Sequence, residues 1–284
     1  MVSVKSLICA AAALMVTSVA YAADLGAPPP AQFQPPAAVP EQSGLYLRGD
    51  VGIGVQNFSS FDLEPTANVP ADWTVNQTDI QDTSILGVGI GYEINNWLRF
   101  DVTGEYRTKA AFQGIGSFQF AGGVGGCPPG GAAYCLDTYT GNFSAAVFMA
   151  NGYVDLGTWW CLTPYVGGGV GAAWDRITGV QDVTDQVLYF TGHGLTESDS
   201  SNWNLAWNLQ AGLTYNVSDN LKIDFSYRYL DMGSPQSANI VCQNTTTCAQ
   251  NYFNLKDMTS QDFRIGLRWM LQPEPPPAPI STRG

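Results

Sequence analysis

The basic residues of this 284-residue chain fall mostly at alternate positions of otherwise apolar segments. Near the C-terminus, for example, Arg264 and Arg268 alternate with aliphatic and aromatic side chains. If several such segments enclosed one interior, the charges would either pair into a salt-bridge network or line a narrow gated path for solutes. The candidate interior network comprises Arg48, Asp50, Glu93, Arg99, Asp101, Glu105, Arg107, Lys222, Asp224, Arg228, Arg264 and Arg268, with Asp155 as a further acidic member.

A catalytic constellation is harder to find. His193 is the only histidine, and it lies in a polar stretch near Ser198, Asp199 and Ser200. A nucleophile, its base and an orienting group must lie within hydrogen-bond distance of one another. A polar loop supplies no hydrophobic scaffold to fix them, so we predict that the protein is not an enzyme. An enzymatic barrel is the least favoured of three alternatives.

Four of the six cysteines form two close pairs, a pattern typical of disulfides in exported proteins. The candidate disulfides join Cys127 with Cys135 and Cys242 with Cys248. Cys161 is left over, and we expect it to be a free thiol. The chain has no CxxC spacing, so no zinc site is predicted. The sequence predicts neither a metal nor a cofactor.

The elements that position these residues are eight segments in which apolar and polar residues alternate. Period-two alternation with aromatics, separated by connections that are short and long in turn, is the pattern of a transmembrane β-barrel. We therefore predict an all-β, eight-stranded, antiparallel up-and-down barrel with short periplasmic turns and four long extracellular loops. The predicted strands cover about 44–56, 84–94, 97–107, 139–156, 163–174, 202–217, 221–230 and 260–271.

One predicted strand and the loops carry further expectations. The strand at 139–156 changes parity between Phe143 and Phe148, which a β-bulge near its middle would reconcile. The long loops, at about 57–83, 108–138, 175–201 and 231–259, are mostly acidic. We expect a solvated surface there, and divalent-cation binding is the alternative.

The two ends of the chain resemble processing and linker segments. Residues 1–22 have a basic start, an apolar run and an Ala-Tyr-Ala cleavage site, as in a signal peptide. Pro-rich residues 23–43 and 272–284 are predicted to be a disordered leader and tail around a barrel at 44–271. After cleavage, 11 basic residues face 24 acidic ones, a net charge of −13, which argues against nucleic acid as a partner.

Several stretches resemble the small outer-membrane β-barrel family of alphaproteobacterial surface antigens, which share the fold of the OmpA transmembrane domain. They are Gly44-Leu45-Tyr46, Met149-Ala150-Asn151-Gly152-Tyr153, Thr163-Pro164-Tyr165-Val166-Gly167 and Phe263-Arg264-Ile265-Gly266-Leu267-Arg268-Trp269. The family's last strand serves as a signal to the barrel-assembly machinery. The resemblance implies that role for Phe263, Ile265, Leu267, Trp269 and Leu271 here.

The sequence thus predicts an integral protein of the Gram-negative outer membrane. We expect a structural role in envelope integrity and the presentation of acidic surface loops. A narrow porin or small-solute channel is the main alternative. The expected partners are outer-membrane lipid, lipopolysaccharide and the assembly machinery, with peptidoglycan or a host surface as further possibilities.

Overall fold

The computed structural model describes residues 43–66, 72–118, 135–185, 192–196, 198–242 and 251–271. The predicted signal peptide, nearly all of the leader, and the tail lie outside these ranges. The described ranges contain thirteen β-strands: β1 Gly44–Asn57, β2 Ser60–Glu64, β3 Thr74–Ile80, β4 Thr83–Glu93, β5 Leu98–Phe118, β6 Cys135–Asp155, β7 Leu162–Asp185, β8 Gly192–Thr196, β9 Ser200–Asn216, β10 Leu221–Asp231, β11 Ile240–Cys242, β12 Tyr252–Lys256 and β13 Thr259–Leu271. Over the same residues, no helix has the length and apolarity needed to cross a membrane.

Eight of the strands close into a ring in which every neighbouring pair is antiparallel. The order around the ring is β1, β4, β5, β6, β7, β9, β10 and β13, and β13 pairs with β1 to close it. Closure gives every ring strand two hydrogen-bonded neighbours, which a lipid environment requires because it offers the backbone no partners. The predicted eight-stranded barrel is confirmed.

On the ring strands the outer face is apolar, and the inner face carries the buried charged residues. On β13, Phe263, Ile265 and Trp269 are more than half exposed, whereas Arg264 and Arg268 are almost completely buried. Since the side-chain period of a strand is two, the alternation in the sequence alone dictates this division. Short connections at 94–97, 156–161 and 217–220 join the ring strands at one end, here called the turn end. The opposite end is called the loop end.

The barrel wall continues well past the ring at the loop end. β5 and β6 have 21 residues each and β7 has 24. β3 pairs with the distal part of β5, β8 with that of β7, and β11 with β8. Strands therefore occupy much of the segments that we predicted as long loops. The period-two alternation persists in these segments and includes aromatic residues, whose side chains pack into a second core.

That core lies under a two-stranded cap made of β2 and β12, which pair with each other across the barrel mouth. Phe61 of β2 stacks on Phe253 of β12 with ring centroids 4.6 Å apart, and Phe61 also contacts Tyr139 of β6 at 5.1 Å. Gly233 and Asp257 flank the cap with positive φ angles of 77° and 49°. These left-handed residues turn the chain inward where the β10–β13 pair ends.

The bulge predicted within 139–156 is wrong, because β6 keeps a single parity throughout. Phe143, Ala145 and Val147 all point inward and are buried. The odd-numbered residues further along β6 point inward as well. The irregularities lie in its neighbours, where β5 gains one residue between Arg107 and Ala110 and β7 gains one near Gly179. The apparent parity change in the sequence arises because the barrel interior is apolar toward the loop end and polar toward the turn end.

Candidate functional site

The barrel interior nearest the turn end is organised around Arg268. Its Nε lies 2.6 Å from Asp224 Oδ2 and its Nη1 lies 2.8 Å from Glu93 Oε1. Lys222 Nζ reaches the same Glu93 carboxylate at 2.8 Å. The guanidinium also lies over the ring of Tyr46, 5.5 Å from its centroid. Two buried carboxylates thereby link three strands, β4, β10 and β13, and the cation–π contact adds β1.

At the next level toward the loop end, Arg48 forms ion pairs with two aspartates. It bonds the Asp50 carboxylate through Nε and Nη2 at 2.8 and 2.7 Å, and its Nη1 lies 2.6 Å from Asp101 Oδ2. The Tyr153 hydroxyl lies 2.7 Å from Arg48 Nη1. Asn151 donates to Asp101 at 2.8 Å, which extends the network toward β6. A fully paired arginine of this kind is rigid, since its planar donors have fixed partners.

The third level contains the densest cluster. Asp262 accepts hydrogen bonds from Arg107 at 2.8 Å and from Arg228 at 2.6 Å, and Glu105 contacts the same two arginines at 3.1 and 2.6 Å. Arg107 also contacts Ser260. The sequence analysis missed Asp262, although its position two residues before Arg264 gives it the same inward parity.

Arg99 occupies a different environment near the turn end. Its guanidinium carbon lies 4.1 and 4.4 Å from the ring centroids of Tyr153 and Tyr165, so the cation is held between two aromatic faces. Its Nε lies 3.2 Å from Asp155 Oδ1. Among the described residues, Nη1 and Nη2 have no hydrogen-bond partner. The two aromatic faces and the Asp155 carboxylate together stabilise this charge.

All twelve residues of the candidate network thus point into one interior, in stacked levels rather than along an open path. Arg264 completes the set, with Nη2 2.7 Å from Gln210 Oε1 and Nη1 3.8 Å from Glu105 Oε2. With Asp155 and Asp262, seven basic groups face seven acidic ones. An eight-stranded barrel is just wide enough for side chains to fill, and here they do.

Above the charged levels the interior becomes apolar. Asp175 is fully buried there and accepts a hydrogen bond from Asn204 at 2.8 Å. Beyond it, side chains of the wall and the cap form one cluster, in which Phe112, Phe143 and Ile177 are almost inaccessible to solvent. Side chains therefore fill the lumen at two successive positions: the ion-paired levels, and then the apolar cluster beneath the cap.

The extended wall beyond the ring carries an acidic pair on neighbouring strands. Asp137 of β6 accepts a hydrogen bond from the Tyr139 hydroxyl at 2.8 Å, and Asp182 of β7 pairs in register with Tyr139. Burial, with the neighbouring Asp137 carboxyl, raises the pKa of Asp182 to about 9. Burial likewise raises the pKa of Tyr139. Asp182 therefore keeps its proton at neutral pH.

The cysteines differ in part from expectation. Cys135, at the start of β6, and Cys161, in a turn-end connection, are both disulfide-bonded, and the partners lie outside the described side chains. The prediction of a free thiol at Cys161 is wrong. Cys127 and Cys248 lie outside the described residues, and Cys242 is described only through its backbone in β11. The two proposed pairings stay predictions.

The residues around His193 do not form a described constellation. His193 pairs with Val183 through the backbone of β8, and its side chain lies outside the description. Asp199 bonds Arg176 at 2.6 Å, and the Ser200 hydroxyl donates to the Gln236 carbonyl at 2.7 Å. Over the described residues, no group of three or more His, Cys, Asp and Glu side chains is placed to hold a metal ion.

The outer face carries the last group of predicted residues. Phe263, Ile265, Leu267, Trp269 and Leu271 form one exposed row along β13. Where the ring ends and the wall begins, Trp174 and Trp203 stack with centroids 6.2 Å apart, which is typical of aromatic residues at a membrane–water interface.

A closed antiparallel ring of eight strands, apolar outside and charged inside, defines a small transmembrane β-barrel. The chain belongs to the family described as outer membrane protein beta-barrel domain, whose model matches residues 9–270. It is accordingly an integral protein of the Gram-negative outer membrane.

Relatives of known sequence agree with this assignment. An uncharacterized protein of Brucella suis is 33% identical over 238 residues, covering 76% of this chain and 78% of the relative. Outer membrane protein PagN of Salmonella typhimurium is 28% identical over 202 residues, covering 69% of this chain and 78% of PagN. The crystal structure of Neisserial surface protein A is 16% identical with a TM-score of 0.44, covering 81% of this chain and 100% of that one.

Proposed function

We propose that the protein is a closed structural barrel that stabilises the outer membrane and presents a folded, acidic loop-end surface to the outside. The filled interior carries this proposal. Arg99, Arg107, Arg228 and Arg268 are each at most 1% exposed, and every one contacts a carboxylate. Removing a single partner from such an interior leaves a buried charge, so the paired, closed state is strongly preferred.

The loop end supports the surface-facing half of the proposal. Its cap and wall share a hydrophobic core, so this end presents fixed strands rather than only loose connections. A protein of Rickettsia felis named putative adhesin is 25% identical over 247 residues, covering 83% of this chain and 86% of that protein. Contact with a host surface is therefore a natural extension of the same role. A barrel enzyme is not favoured, because Asp199 and Ser200 are engaged elsewhere.

Single-channel recording of the refolded barrel in planar bilayers tests the closed state. We expect no steady openings from the wild-type protein, with heat-dependent gel mobility as the check that the barrel has folded. Arg228→Gln should increase any residual conductance, because it leaves Glu105 and Asp262 with fewer cationic partners. Regular ion-selective openings of the wild-type barrel would favour the porin alternative.

Deleting the gene tests the structural role. Loss of a structural barrel should make cells more sensitive to detergent, and complementation with the wild-type chain should restore resistance. Complementation with a folded variant that has altered interior charges distinguishes the structural role from a channel role, because only the passage of solutes depends on those charges. Unchanged detergent sensitivity in the deletion strain would count against an envelope role.

A further inference from the structure

β3 is an edge strand in the part of the wall that projects beyond the ring. It pairs with β5 on one side, and no other described strand pairs with it. β1, the ring neighbour of β4, ends at Asn57 and forms no ladder with β3, since the chain then turns inward at β2 to form the cap. Over the part of the chain that the structure describes, the wall therefore ends at β3, and residues 74–79 are all exposed.

The hydrogen-bond pattern identifies which backbone groups face the open side. Gln81 N donates to Ala111 O at 2.9 Å, and Asp79 pairs in register with Gln113. In an antiparallel pair the bonded residues alternate with residues whose N–H and C=O groups point the other way. The backbone of Thr78, between the bonded positions 77 and 79, thus points to the open edge.

Most edge strands carry features that prevent further pairing, and β3 carries few of them. Prolines, lysines and inward-pointing charges are the usual protection. β3 reads Thr-Val-Asn-Gln-Thr-Asp-Ile, with no proline or lysine, and its register shift falls near Val75, before the segment that includes Thr78. The edge from Gln77 to Ile80 is regular and can accept another strand.

The charge around this edge selects the chemistry of a partner. Residues 57–83 contain five acidic residues and no basic one, and the basic residues of the neighbouring β5 and β12 that are not buried are Lys109 and Lys256. A second copy of this chain would bring the same negative surface to the edge, which disfavours self-pairing. An extended basic segment would meet complementary charge.

We propose that β3 is a docking edge for an extended, lysine- or arginine-rich segment of another protein, which adds to the wall as a further strand beside Thr78. Backbone hydrogen bonds to the edge supply affinity, and the carboxylates Asp79 and Asp82 supply the preference for basic side chains. This inference rests on the proposed surface-facing role, because the edge must be presented outside the cell.

The test uses the full refolded barrel in detergent micelles and a labelled peptide, Lys-Val-Lys-Thr-Lys-Val-Lys. We expect saturable binding, together with slower amide exchange at Thr78. Thr78→Pro removes the edge-facing N–H and should weaken binding by about tenfold or more, whereas Thr78→Val keeps that N–H and should bind normally. A peptide N-methylated at alternate residues, and one with glutamate in place of lysine, should both fail to bind.

Several outcomes would overturn the proposal. If the N-methylated peptide bound as well as the unmodified one, or if Thr78→Pro bound as well as the wild-type barrel, the attraction would be electrostatic and would not involve strand addition. Absence of binding by a barrel with normal heat-dependent mobility would exclude the edge as a docking site. Dimers that Thr78→Pro abolishes would assign the edge to a second copy. Each result is independent of the conductance and detergent tests, so this inference and the proposed function fail separately.

Discussion

At the residue scale, shared carboxylates decide how the interior is arranged. Asp262 forms ion pairs with both Arg107 and Arg228, and Glu93 forms ion pairs with both Lys222 and Arg268. A shared carboxylate joins cations from different strands, so its loss affects more than one contact. The interior should therefore respond to single substitutions much more strongly than the exposed ion pairs do.

Asp262→Ala tests this expectation. The change leaves Arg107 and Arg228 buried with only Glu105 as a common partner, and we expect a loss of about 3–5 kcal/mol in the free energy of unfolding. Asp199→Ala is the matched control, because its pair with Arg176 is about half exposed, and it should cost only about 0–1 kcal/mol. Urea unfolding of the refolded barrel in lipid vesicles measures both. Similar losses in the two variants would contradict the paired-interior account.

Asp182 gives a pH-dependent prediction for the extended wall. Its pKa rises from 3.8 in the unfolded chain to about 9 in the fold, so the folded state holds a proton that the unfolded state releases. Stability of the wall should therefore fall as the pH rises from about 4 to 9. Asp182→Asn stays neutral and can donate to Asp137, so it should stabilise the wall at pH 8 and flatten the profile. Amide exchange of β6 and β7 between pH 5 and 8, corrected for intrinsic exchange rates, measures the effect. An unchanged profile in Asp182→Asn would assign the dependence to other groups.

At the element scale, close approach between strands sets where glycine is required. A Cβ built on Gly171 of β7 would lie 1.9 Å from the carbonyl oxygen of Phe148 on β6. A carbonyl held in the barrel ladder cannot move aside as the end of a flexible side chain can. The glycine therefore permits the local approach of β6 and β7 rather than providing flexibility.

Gly171→Ala should destabilise the barrel by about 1–3 kcal/mol, because the added methyl group forces the two backbones apart. Gly49→Ala on β1 is the matched control, since its nearest neighbour would be 4.0 Å from the new Cβ. The transition midpoint in urea and the fraction of heat-resistant folded protein report the difference. If Gly49→Ala were as costly as Gly171→Ala, the steric explanation would not hold.

At the scale of the whole molecule, the charged interior and the apolar cluster close the lumen in series. The charged levels lie within the ring, and the apolar cluster lies beneath the cap at the loop end. Each closure depends on different side chains. Opening one of them should leave the other in place.

Phe253→Ser tests this arrangement, because Phe253 is fully buried and contacts Phe61, Phe112 and Tyr139 across the mouth. We expect the variant to loosen the cap, which faster proteolysis near β12 would report, yet to remain closed in planar bilayers. Combined with Arg228→Gln it should give measurable conductance. Steady openings with Phe253→Ser alone would show that the cap, and not the ion pairs, closes the lumen.

The sequence by itself determined the barrel. Period-two alternation fixed the faces of the ring strands and the inward direction of all twelve charges, because a strand places successive side chains on opposite sides whatever its neighbours are. The same rule would have found Asp262. A single strand's parity was also enough to identify the outward row on β13.

Only the tertiary structure decided which charges pair, where the polar interior ends and what becomes of the long connections. Pairing depends on the register between strands far apart in sequence, such as Glu93 with Arg268. The aromatic residues Phe61 and Phe253, 192 positions apart, form a core only because β2 and β12 meet across the closed ring. Local patterns carry no information about such contacts, since it is ring closure that brings the first strand, β1, beside the last, β13.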